Sequence, residues 1–420
     1  MNPRFSIVVP TLDNLHDLKI LIPSINSQTL LPKEILVADS SSSDEIQENL
    51  QIISSQVPLI YFRVGRAYKF DRFFQYFSSL SVFLKGQKKF PAGRAFPYEA
   101  TNAGVKNASC EWIAFLDATT IPVSSWLEDY WHFLCLHECD VVFGNTTYCA
   151  DTKFQKILRA STYGSIGHET APGSIIRKSD FLNGHEILEG VRSGGDVAWK
   201  NDIKASFKHF LPTTPYLKYS NLSKTIFPVF KKFFVYQMYS SIVDIQQNVK
   251  SAYLILAIIL GLIIAPKWNY IVGWDSPLFI PHVTKVFFIC MLLIISASFI
   301  LNKVILGRLL HKSFLTNFLK ATILIIVTYS IYNWNAAVAK WVEDSIWYIP
   351  HITKIYVFSI LLASFFYRGI YFPIKNKIEL TFLFPFNWIA VGALGIALDL
   401  IKAPGYLLGG IIAPFIKSSK

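Results

Sequence analysis

From Ser251 onward the sequence is dominated by apolar runs, and these constrain the fold more than anything else in it. A lipid core offers no water to satisfy backbone N–H and C=O groups, so a run that crosses it must be helical. Residues 252–265 form one such run, extended by Trp268 and Tyr270 as anchors of the interfacial type. Residues 286–301, 318–339 and 355–372 approach spanning length as well. Residues 382–416 are apolar but broken by Pro385, Pro404, Gly409 and Gly410, and they contain Asp399 and Lys402. That pattern predicts one span plus a re-entrant or surface helix, giving an all-α region over 251–420 with four to six membrane segments. Asp399 is either a functional intramembrane acid or a loop residue beside Pro404.

The sequence before Ser251 has a different texture. Residues 5–9 read as a short apolar strand ended by Pro10 and Thr11, and the N-terminus reads as this strand rather than as a signal peptide. Asp13 or Asn14 can cap a helix carrying Leu15, Leu18, Leu21, Ile22 and Ile25 at helical spacing. Residues 34–38 and 59–64 are further strands, the first ending in Asp39. The alternation predicts a mostly parallel α/β sheet covered on both faces. Residues 112–116 are another buried strand, with Asp117 at its end. Taken alone, Asp117 also fits a turn or a helix cap. Two carboxylates at the carboxyl ends of two strands, however, stand where open α/β sheets bind ligands. One can accept hydrogen bonds from a nucleobase or ribose, and another can hold Mg²⁺ or Mn²⁺ against a diphosphate.

The segments SIVVPT (6–11), SINSQ (24–28), EILVADSSSSD (34–44), NAGV (102–105) and WIAFLDA (112–118) resemble, in one consistent order, the family 2 glycosyltransferases of the GT-A (Rossmann-like) fold. The resemblance covers roughly residues 4–220. It implies a nucleotide-sugar donor and inversion at the anomeric carbon. Pro10, Thr11, Asp39, Arg94 and Asp117 are the implied donor-binding residues, with Asp39 on the base or ribose and Asp117 on the metal and diphosphate. Thr119 stands where the family has a second metal-binding acid, Ser40 replaces the acid after Asp39, and Thr101 replaces an arginine. SGGDVAW (193–199) resembles the acceptor-side Glu-Asp motif, with Gly195 in place of Glu and Asp196 retained. An inverting transfer needs a base for the acceptor hydroxyl, and Asp196 is the candidate. It also fits a helix N-cap before residues 197–204. Trp199 could stack on an acceptor sugar or pack in the core. His168 and Glu169 could touch a ligand or be solvated loop residues. No Gln-x-x-Arg-Trp signature of processive synthases is present, which favours transfer of a single sugar.

These readings divide the chain into a cytosolic domain at 1–225, an interfacial helix at 226–250 and the membrane region. Residues 66–90 form a basic, aromatic insertion that reads either as an interfacial amphipathic segment or as a helix packing on its own domain. The formal charge of +12 is spread over lysines and arginines flanking apolar segments, which suits a lipid surface rather than nucleic acid. Cys135 and Cys139, near His132 and His137, read as structural thiols before a metal cluster, and the five cysteines suggest a reducing compartment. Lys303, Arg308 and Lys312 in one loop and Arg368, Lys375 and Lys377 in another place those loops, and the N-terminal domain, in the cytosol. A lipid-linked or cell-envelope glycan acceptor would explain the membrane helices, as would simple anchoring. The rival reading is a catalytically silent, membrane-anchored scaffold that binds nucleotide-sugar.

Overall fold

The computed structural model describes residues 3–50, 52–65, 95–243, 245 and 352–417, with a set of positions between 256 and 349. Arg94, the 66–90 insertion and most of the apolar runs at 252–265, 286–301 and 318–339 lie outside these residues. The chain forms two compact units, Met1–Thr152 with Ser165–Leu222, and Lys153–Gly164 with Ser223–Lys420.

Among its described residues the first unit has nine strands: β1 (Phe5–Thr11), β2 (Glu34–Asp39), β3 (Leu59–Arg63), β4 (Trp112–Phe115), β5 (Thr120–Pro122), β6 (Val141–Tyr148), β7 (His168–Arg177), β8 (His209–Phe210) and β9 (Leu217–Tyr219). They run in the order β3-β2-β1-β4-β7-β6-β9-β5, with β8 beside β6. The half from β3 to β4 is parallel, as the strand–helix alternation predicts. β7 then joins antiparallel to β4 and to β6, which makes the sheet mixed. Helices α1 (Leu15–Asn26), α2 (Glu45–Leu50), α3 (Pro97–Asn107) and α4 (Trp126–Leu136) belong to this unit. α5 (Lys153–Thr162), between β6 and β7, belongs to the second, and α6 (Lys178–Leu182) and α7 (Gly195–Ser206) return to the first.

Side chains alternate along β1. Phe5, Ile7 and Val9 pack with Leu18, Leu21, Ile22 and Ile25 of α1 and with Trp126 and Tyr130 of α4. Val8 faces the other way, with Leu36, Phe115, Val105 of α3, Phe181 of α6 and Trp199 and Ile203 of α7. All six residues of β2 are buried, as expected of a strand covered on both faces. α1 begins after Asn14 as the spacing predicts, but Asn14 donates to Asp17 Oδ2 at 3.1 Å instead of capping the backbone.

The second unit contains α8 (Ile226–Val243), α9 (Ile352–Phe366) and α10 (Asn387–Lys417). α9 continues through a π-helical turn, Tyr367–Tyr371, into Phe372–Lys375. Among the described residues two stretches, Ile355–Lys375 and Asn387–Ala413, are long and apolar enough to cross a membrane, at 21 and 27 residues with mean hydropathy 1.5. Of the breaks expected within 382–416, the one at Pro385 falls between a short helix, Leu380–Leu383, and the start of α10, which then runs unbroken through Pro404, Gly409 and Gly410. The glycines serve packing. A Cβ on Gly405 would sit 2.5 Å from the Phe234 carbonyl oxygen, and one on Gly409 would sit 2.1 Å from that of Met238. Small residues four apart thus let α8 and α10 meet backbone to backbone. Asp399 is in the helix, not a loop. It accepts from Arg368 Nε at 2.7 Å and Nη2 at 2.6 Å, and Lys402 Nζ lies 3.5 Å away. α5 adds Leu158 to a cluster with Val229, Leu394 and Leu398, and Ala160 to one with Ile378, Leu383 and Val391.

Candidate active site

The parallel register brings the ends of β1 and β2 side by side, pairing Thr11 with Asp39. Asp39 has 0% exposure, and both of its oxygens are engaged. Oδ1 accepts from Ser41 N at 2.9 Å and Ser41 Oγ at 2.6 Å, while Oδ2 accepts from Tyr61 Oη at 3.0 Å. Burial first, and the Asp39 carboxylate second, hold the Tyr61 phenol above its ordinary pKa, so it remains a donor. Ser41 Oγ in turn accepts from Asp13 N at 2.8 Å. Asp39 therefore ties β2, β3 and the loop after β1 together. The hydroxyls beside it are different. Thr11 Oγ1 and Ser40 Oγ are buried with no hydrogen-bond partner among the described residues, a costly state unless something polar binds there. Pro10 precedes Thr11 on β1.

Asp117 lies two residues past the end of β4, and its carbonyl accepts from Thr120 N at 2.9 Å. Its side chain is half-buried, close enough to Tyr98 to raise that phenol's pKa. Tyr98 in turn donates to Asp196 Oδ1 at 2.8 Å. Asp196 opens the first turn of α7 behind Gly194, whose φ of 87° is the left-handed conformation that suits glycine. Asp196 is not a side-chain cap. Four and eight residues on, Lys200 and Lys204 follow on the same helical face. Lys200 Nζ donates to the Glu169 carbonyl at 2.5 Å, and Lys204 Nζ lies 2.7 Å from Glu169 Oε2. Burial lowers the pKa of Lys200, opposed by Asp196 and Glu169. His168 and Glu169 are therefore the opening residues of β7 rather than solvated loop, with the His168 ring edge-on to Tyr148 at 5.5 Å.

Trp199 is corrected by the structure. It is 2% exposed, packs edge-on to Phe115 at 5.5 Å and donates Nε1 to the His185 carbonyl at 3.0 Å, so it is core and offers no face to a sugar. His137 stacks on Phe210 at 3.8 Å, and among the described residues no three His, Cys, Asp or Glu side chains gather into a metal centre. Sequence reasoning missed Tyr61, Tyr98 and Lys200. The spacing of Lys200 from Asp196 was a usable signal. Nothing local pairs Tyr98 with a residue 98 positions away.

The fold and site define a class: a GT-A-like α/β domain whose polar residues gather at strand ends, followed by C-terminal helices that could span a membrane. The family model for glycosyl transferase family 2 matches residues 89–187, which include α3, β4 and Asp117. Among solved structures, TarS 1-349 of S. aureus in complex with UDP-GlcNAc is 15% identical with a TM-score of 0.38, covering 56% of this chain and 65% of that one. TarS 1-349 in complex with UDP is 16% identical with a TM-score of 0.36, covering 56% and 64%. The chain thus spans just under two thirds of the length of these structures. No curated protein matches it.

Proposed function

We propose that the protein is a membrane-bound, inverting glycosyltransferase that moves one sugar from a nucleotide-sugar donor to a lipid-linked or cell-envelope glycan acceptor. One observation carries the reading: Asp117, on the segment that matches the family, and Asp196, on α7, both act on the half-buried phenol of Tyr98. A donor-side and an acceptor-side carboxylate then flank one reaction centre. The nucleoside is seated at the ends of β1 and β2, where the unpartnered hydroxyls of Thr11 and Ser40 gain a polar partner. Asp196 takes the proton of the acceptor hydroxyl as its oxygen bonds to the anomeric carbon. The bond to the diphosphate breaks on the opposite face, and its electron pair leaves with the phosphate oxygen. Asp117 would hold Mg²⁺ or Mn²⁺. With one carboxylate, the Thr119 hydroxyl and diphosphate oxygens, the donor set suits a hard cation shared with substrate. Such a cation supplies charge neutralisation for the leaving group. The catalytic domain is cytosolic and the apolar helices of the second unit deliver or anchor at the membrane, a multi-pass arrangement.

Donor hydrolysis across a panel of nucleotide-sugars, with and without EDTA, tests the activity; no hydrolysis under any condition favours the silent scaffold. Asp196→Asn is expected to lower transfer by at least about a hundredfold while donor binding survives, as for loss of a general base. Retained turnover would remove Asp196 from the mechanism.

A further inference from the structure

We infer that Tyr98 is the positioning residue for Asp196, and that Gly195 is glycine so that the Tyr98 ring can be there. The inference rests on the proposed role of Asp196 as acceptor base. Tyr98 sits in the first turn of α3, directly after Pro97, whose fixed φ suits the start of a helix. Its hydroxyl donates to Asp196 Oδ1 at 2.8 Å. Among the described residues Oδ2 accepts no hydrogen bond, so one oxygen is pinned and the other is available to take a proton. Burial, then the charge of Asp196, push the Tyr98 phenol far above its usual range, so the hydroxyl stays protonated and stays a donor.

The ring is as fixed as the hydroxyl. A Cβ on Gly195 would fall 2.7 Å from both Cδ2 and Cε2 of Tyr98, closer than real side-chain carbons come. Any larger residue at 195 must displace the ring, and with it the hydroxyl. The start of α3 is braced against the chain leading into α7. Glu99 accepts from Phe96 N at 2.8 Å and from Gly190 N at 3.2 Å. Asn102 grips both sides of Ile187, donating to its carbonyl at 2.7 Å and accepting from its N–H at 3.1 Å. Three residues of one helix face, Tyr98, Glu99 and Asn102, thus hold the 187–196 segment. A carboxylate held this way presents its free oxygen at a fixed angle, and small errors in such angles cost rate steeply.

The experiment uses the full chain in detergent and has two arms. In the first, thermal melts compare the parent protein with Tyr98→Phe, Asp196→Ala and the double variant. The two shifts are expected to be non-additive, the double losing clearly less than their sum, because both remove one contact. Additive shifts would overturn the contact. In the second, kcat is measured with UDP-GlcNAc as the donor probe and normalised to UDP-binding sites counted by calorimetry. Tyr98→Phe and Gly195→Ala are each expected to lower normalised kcat about tenfold with donor KM within twofold, and neither is expected to lower it further in an Asp196→Ala background. Tyr98→Phe at full kcat, or a loss expressed only in KM, would overturn the positioning role. Full turnover by Asp196→Ala would instead sink the base assignment, and the melts would still decide whether Tyr98 holds that carboxylate.

Discussion

At the scale of single residues, chemistry-bearing side chains and their neighbours have exchanged parts. Asp39 was legible as a strand-end acid, but a sequence does not show that Ser41 and Tyr61 donate to both of its oxygens. The unpartnered groups are hydroxyls, Thr11 and Ser40, which in a sequence look like ordinary strand-end residues. Trp199 could be read as an acceptor contact or as core, and the helical turn that presents Asp196 directs it into the core. Trp199→Ala is therefore expected to destabilise the domain by about 3–5 kcal/mol, as for burying a cavity under α7, rather than to raise acceptor KM alone. Chemical denaturation beside acceptor kinetics checks this. A variant of parent stability with a selective acceptor defect would return Trp199 to the binding surface.

At the scale of elements, the parallel half of the sheet and α1 were legible because the strands are short continuous apolar runs and the helix keeps its 3.6-residue period over several turns. The three-residue strands β5 and β9 and the two-residue β8 were not, since so short a strand is defined by its partner and carries no period of its own. α10 was misjudged for a different reason. Pro404 and the glycines look like breaks in isolation, but α10 carries Pro404 at an exposed position, and its glycines become the contact surface where α8 packs against them. Gly409→Val is expected to cost about 1–3 kcal/mol or more by forcing the α8 backbone away. Fluorescence-detected size exclusion in detergent should show a broadened or void-volume peak. A symmetric parent-like peak with an unchanged melt would mean that the α8–α10 contact is looser than its glycines require.

At the scale of the whole molecule, the two units are not separated by a single cut in the sequence. Residues 153–164 leave the first unit after β6, build into the second, and return for β7. No compositional shift marks them, because an amphipathic helix has the same pattern whether its apolar face meets its own sheet or a distant helix. A fragment ending at Leu222 should consequently expose Leu158 together with the half-buried Phe154 and Ile157, and is expected to need detergent. Replacing those three with Ser or Gln should restore monodisperse behaviour in plain buffer, read by light scattering. A soluble, monomeric parent fragment would show that α5 has cover within the first unit.

The Arg368–Asp399–Lys402 group has a consequence for how the chain is made. On the membrane-bound reading, α10 carries an acid and a base in the middle of its apolar run, and an isolated helix would have to take both into lipid. The guanidinium that meets Asp399 through two hydrogen bonds comes from the preceding helix, at its π-helical turn. During synthesis Arg368 leaves the ribosome 31 residues ahead of Asp399, so its helix can wait for its counter-ion. The two segments are then best integrated as a pair, the ion pair being formed before either helix is released to lipid alone.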